Sequence, residues 1–97
     1  MSSALFNKLS VARRAGFVES GFDRVKDAVN GGKSALVITA ADISPKTLKE
    51  VKFFSSAKVT VLESGHTKEE FGENIGMYAA VFSVNDQGFA KAITENN

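Results

Sequence analysis

Ala35-Leu36-Val37-Ile38-Thr39-Ala40, followed at once by Ala41-Asp42-Ile43-Ser44-Pro45, decides the fold. The first six residues are a continuous apolar run broken only by Thr39. That pattern is expected of a strand covered on both faces, because a half-exposed strand alternates. Ser44-Pro45 then carries two helix-start signals, an N-cap hydroxyl and a proline at the first helical position. Leu48, Val51 and Phe54 supply that helix with an inner face. A doubly covered strand joined directly to a helix belongs to a layered α/β protein.

Reading outward, the same alternation recurs. Upstream, Leu5, Leu9, Ala12 and Gly16 fall at helical spacing, with Ser2 or Ser3 as N-cap and Gly16 as the stop. Arg13 and Arg14 occupy the last turn, where cations suit the helix dipole. Phe17-Val18-Glu19 reads as a short extended segment. Ser20-Gly21 opens a second helix with Phe22, Val25, Ala28 and Val29 on one face, and Gly31-Gly32 ends it. Downstream, Val59 to Leu62 is a strand, and Thr67-Lys68-Glu69-Glu70 is a capping box leading into Phe71 and Ile75. Ala79 to Val84 is the last strand. Asp86 caps a final helix carrying Phe89, Ala92 and Ile93, and Thr94 to Asn97 are expected to fray. The order is α-β-α-β-α-β-α-β-α, a single domain over residues 1–97 with helices on both faces of a sheet.

Composition removes several functions. Without cysteine there is no disulfide, thiol nucleophile or thiolate metal site. The one histidine, His66, reads as an exposed loop residue and is too little for a zinc site or a catalytic pair. No cofactor and no enzymatic activity are expected. No apolar run reaches membrane length, and Met1 to Phe6 lacks the pattern of a signal peptide, so a cytoplasmic protein is expected. Eight phenylalanines, one tyrosine and no tryptophan suggest aromatic mass packed inward. Net charge is only +1, but it is unevenly spread. Residues 1–58 hold ten Lys or Arg against five acids, whereas residues 59–97 hold two against six. Such a division steers a polyanion to one face, or is merely two solvated surfaces that differ.

Three places invite a chemical reading. Gly31-Gly32-Lys33-Ser34 ends like a phosphate loop, but that motif needs a strand before it and a helix after it. Here the order is reversed, so this is a helix C-cap. Asp42 to Pro45 follows the buried strand where ligands of α/β sheets usually bind, although Asp before Ser-Pro is also ordinary turn chemistry. Gly21 sits where a strand end meets a helix start. It leaves room for close approach to backbone N–H groups that attract anions, and Arg24 and Lys26 add mobile donors. A plain N-terminal turn with Asp23 on the dipole accounts for the same residues.

Taken in order, these pieces resemble a known family. They are Ala12-Arg13-Arg14-Ala15-Gly16, Ser20-Gly21-Phe22-Asp23-Arg24-Val25 with Ala28, and Asp42-Ile43-Ser44-Pro45. Phe71-Gly72-Glu73-Asn74-Ile75-Gly76 and Asp86-Gln87-Gly88-Phe89-Ala90 follow. The chain resembles the kink-turn RNA-binding superfamily of the ribosomal L-seven-Ae and L-thirty-e type, in its bacterial YlxQ-like branch. The resemblance implies a three-layer α-β-α sandwich around a four-stranded mixed sheet, binding bent RNA through one edge. It assigns contact to Gly21, Phe22, Asp23, Arg24 and Lys26 at the second helix, with Asp42, Ile43 and Lys46 nearby. Ile75, Gly76, Met77 and Tyr78 would face an extruded base, and Arg13, Arg14, Arg24, Lys26 and Lys46 would hold phosphates. The implied partner is structured RNA, ribosomal RNA among the candidates, bound by a monomer with no DNA and no membrane. The contact motif departs from the family's Gly-x-Asn-Glu-x-x-Lys: Asp23 stands for Asn, Arg24 for Glu and Asp27 for Lys. The alternative is a protein-interaction module on the same fold that has lost standard kink-turn readout.

Overall fold

A computed structural model describes residues 4–95. The elements are α1 (Ala4–Arg14), β1 (Val18–Ser20), α2 (Phe22–Asn30), β2 (Leu36–Thr39), α3 (Pro45–Ser55), β3 (Val61–Glu63), α4 (Lys68–Ile75), β4 (Val81–Val84) and α5 (Gln87–Glu95). The expected order is therefore the observed one. The N-cap assigned to Ser2 or Ser3 lies outside the described residues.

The sheet runs β1-β4-β2-β3. β4 is antiparallel to both β1 and β2, and β2 is parallel to β3, so the sheet is mixed. The doubly covered reading of β2 holds, since all four of its residues are buried. Alternate side chains serve opposite layers. Leu36 and Ile38 join Phe82 and Val84 under a cluster formed with Leu5, Leu9, Phe71 and Ile93 of α1, α4 and α5. Val37 and Val81 point the other way, toward Val25, Val29, Val51 and Phe54 of α2 and α3. The result is a three-layer α-β-α sandwich.

Several boundaries move. β3 starts at Val61 rather than Val59, because the Val59 N–H is taken by the Ser55 carbonyl in the turn leaving α3. β4 starts at Val81 rather than Ala79. Thr94 and Glu95 are still helical, with the Thr94 hydroxyl donating to the Ala90 carbonyl at 3.0 Å. On α5 the buried pair is Ala90 and Ile93, so Ala90 replaces Ala92 on the inner face. The Gly31-Gly32 segment is a helix terminator. Lys33 N–H reaches back to the Ala28 carbonyl and Gly32 N–H to Val29, with Gly32 at φ +78°. This crossed pair is the Schellman arrangement, and its left-handed residue favours glycine.

Candidate nucleic-acid interface

Strand register gathers the candidate residues. Thr39 lies opposite Val81 on one side and Glu63 on the other, and Ser20 lies opposite Phe82. The C-terminal ends of β1, β2 and β3 and the start of β4 therefore share one edge of the sandwich. Backbone bonds tie the loops there together. Gly21 N–H donates to Val81, Ala40 N–H to Ala80, and Ala41 N–H to His66. Gly21, Ala40 to Ser44, Ser64 to Thr67 and the Tyr78 to Ala80 segment consequently meet, although they are far apart in sequence.

At this edge α2 is built differently from its neighbours. Ser44 caps α3 by accepting from Thr47 N–H. Thr67 and Glu70 close α4 with a reciprocal capping box. Asp42 adds to that closure, its Oδ1 accepting from Lys68 N–H at 2.9 Å. α2 has no side-chain cap at all, because Gly21 occupies the position. The Phe22, Asp23 and Arg24 amides thus have the open first-turn geometry that attracts anions. The Gly21 N–H itself is not among them, being held by Val81. Gly21 has φ 101° and ψ 148°, a region close to glycine-only backbone space. A methyl group built on it would meet nothing within 4 Å, so the approach is open.

Arg24 stands in the first turn of α2 and Lys46 in the first turn of α3, both exposed. Among the described residues neither enters an ion pair, and nor does Lys68 at the first position of α4. Tyr78 is 70% exposed. Its side chain lies against Gly72, where an added methyl would meet it at 3.5 Å, and Lys68 Nζ is 6.0 Å from its ring centre. Lys68 was read from the sequence only as part of the capping box and not as a contact residue. Its signal was its place as the first residue after a capping threonine, masked by the acidic composition of its surroundings.

The other candidates are placed less simply. Ile75 is 5% exposed and belongs to the core under α1, so it offers no surface to a base. Burial of the i+4 partner of Phe71 outweighs its position next to the loop. Met77 is half-buried against the same core. Phe22 is half-buried, its ring edge-on to Phe54 at 5.5 Å. Ile43 packs partly against the α2–α3 cluster. Lys26 lines the groove between α2 and α3 rather than the edge. Arg13 lies near Gly76, its guanidinium carbon 3.8 Å from where a methyl on that glycine would stand, at the far end of α4 from the capping box. Arg14 is exposed and has no ion-pair partner among the described residues.

His66 is packed more closely than expected, its ring 4.5 Å from that of Phe6. Its Nδ1 lies 3.5 Å from Glu70. The Thr67 N–H, donating to Glu70 Oε1 at 2.8 Å, holds the Glu70 carboxyl below its ordinary range, and His66 adds to the effect. Among the described residues no group of three or more His, Asp or Glu could hold a metal ion. No helix there is long and apolar enough to cross a membrane.

Known structures share this architecture. A protein of unknown function from Bacillus halodurans is 26% identical with a TM-score of 0.90, the match covering 97% of this chain and 96% of that one. The Giardia lamblia 15.5kD RNA binding protein is 19% identical with a TM-score of 0.74, covering 98% and 86%. No curated protein is a significant match. The model of the ribosomal protein L7Ae/L30e/S12e/Gadd45 family matches residues 3–94, nearly the whole chain, and the chain belongs to that family.

Proposed function

We propose that this protein binds structured RNA, of the kink-turn type, through the edge centred on Gly21. The observation that carries the proposal is the uncapped start of α2 with Arg24 in its first turn, at the edge to which α3 and α4 bring Lys46 and Lys68, all three cations without carboxylate partners among the described residues. A phosphate would sit on the Phe22 to Arg24 amides, with Arg24 beside it and Lys46 and Lys68 meeting further phosphates along the edge. RNA is read where stacking is broken, and the exposed Tyr78 ring offers a face to an extruded base. Membership of a family that includes ribosomal proteins, and the fold shared with an RNA-binding Giardia protein, support the reading. It is a binding role, carried out in the cytoplasm by a monomer, with ribosomal RNA among the candidate targets.

Asp23 changes the specificity expected of the edge. A carboxylate accepts hydrogen bonds from guanine but donates none, unlike the amide it replaces. Fluorescence anisotropy with a kink-turn RNA and a straight duplex of equal length tests the proposal. The expected affinity for the kink-turn is sub-micromolar in low salt, and Arg24→Ala weakens it about tenfold, in line with the loss of a charge-assisted contact. Equal affinity for the bent and straight RNAs would count against it.

A further inference from the structure

The α2–α3 layer carries a second surface that the RNA edge does not use. Phe53 is 84% exposed, the extreme among the large apolar side chains of the described residues. It stands beside a groove of about 740 Å³ lined by Phe22, Lys26, Asn30, Lys49, Phe54 and Lys58 among others. That size lies in the range that holds a drug-sized molecule or several side chains. The floor is aromatic and the rim is cationic. Lys26 and Lys49 have no ion-pair partner among the described residues, and Lys58 only donates to the Asn30 amide oxygen at 3.0 Å. Glu50 is the one acid in the lining.

We propose that this groove docks an acidic amphipathic helix of a partner protein, its aliphatic side chains on the Phe22–Phe53–Phe54 floor and its carboxylates on the lysine rim. Two helices walling an apolar groove are the usual seat of such a helix. The charge pattern selects an acidic one. RNA fits less well. Phe22 and Phe54 meet edge to face at an interplanar angle of 73°, and Phe54 is 8% exposed, so Phe53 alone could stack on a base and no run of stacked bases fits. Glu50 in the wall would repel a phosphate chain. The inference stands apart from the RNA reading: Phe22 lends its ring here and its amide there, and neither Gly21 nor Arg24 is used.

Panning random peptides of about 16 residues, long enough for a docked helix of about 24 Å, tests it on the full chain. Acidic sequences with large aliphatic residues at i, i+3 and i+4 should be enriched. A synthetic peptide of the enriched sequence should bind near 10 µM and shift the amides of Lys26, Asn30, Lys49 and Phe53. Phe53→Ser, at an exposed position that leaves folding intact, and Lys26→Glu with Lys49→Glu should each weaken it about tenfold. Short oligouridine should leave those amides unmoved. Enrichment of peptides without this chemistry, peptide shifts elsewhere, oligouridine shifts in the groove, or concentration-dependent self-association abolished by Phe53→Ser would each overturn the proposal.

Discussion

At the scale of single residues, Gly21 carries the most information. Its φ of 101° with an extended ψ is costly for any residue with a Cβ, although the space around it is empty. Gly21→Ala should therefore lower stability by about 1–3 kcal/mol in urea titration, through backbone strain alone. An unchanged midpoint would show that the turn relaxes. Thr39 makes the opposite case. It is 1% exposed and its hydroxyl has no partner, facing the α2–α3 core. Thr39→Val should raise stability by about 1 kcal/mol, as expected when an unsatisfied buried group is removed without changing shape. Glu70 adds a pH signature. Its carboxyl titrates below its ordinary range because the Thr67 N–H binds the charged form. A depressed folded pKa means that its stabilisation is present above the unfolded value and is lost as acid carries pH down through the folded value. Glu70→Gln should flatten that part of the acid limb in thermal melts. Gly21 was legible because a glycine between a strand signal and a helix signal has few other uses. Phe53 and Lys68 were not, because periodicity marks the buried face and is silent about the opposite one.

At the scale of elements, helix ends decide what the edge can do. Two helices there, α3 and α4, close their N-termini with side chains, and α2 leaves its first turn open. Asp42 belongs to the closing set, accepting from an amide 26 residues further on. The sequence left Asp42 between turn chemistry and ligand binding, because a cap supplied from another loop has no local signature. Asp42→Ala should cost about 1 kcal/mol in thermal or urea unfolding, the usual worth of a lost cap, and expose the α4 amides. No loss of stability would mean that Thr67 and Glu70 suffice alone. The capping box, the Ser44-Pro45 start and the doubly buried strand were all legible, each being a contiguous pattern with one physical cause. The starts of β3 and β4 were not. Val59 carries a strand-like side chain and Ala79 continues the apolar run of β4, but pairing partners decide where a strand begins.

At the scale of the whole molecule, the fold turns a weakly charged chain into a directional one. A net charge of +1 gives no general attraction for a polyanion. The sheet order β1-β4-β2-β3 instead brings the starts of α2, α3 and α4 to one edge, each with a cation in its first turn, alongside Asp23 on α2 and Glu69 and Glu70 on α4. Division of the sequence into a basic and an acidic half assigns Lys68 to the acidic part, yet the topology sets it at the same edge as Arg24 and Lys46, together with Asp23, Asp42, Glu69 and Glu70. About three phosphate contacts would give a salt dependence with a logarithmic slope of roughly −2 to −3, and Lys46→Ala should reduce it by about one. A slope near zero would indicate recognition without phosphate contacts. The central claim, that RNA engages the open start of α2, is tested most directly by amide chemical shifts of the labelled protein titrated with a kink-turn RNA. Phe22, Asp23 and Arg24 should shift together, saturate with the binding isotherm, and lose the response in Arg24→Ala. Saturable binding that leaves these three amides unmoved would contradict the account.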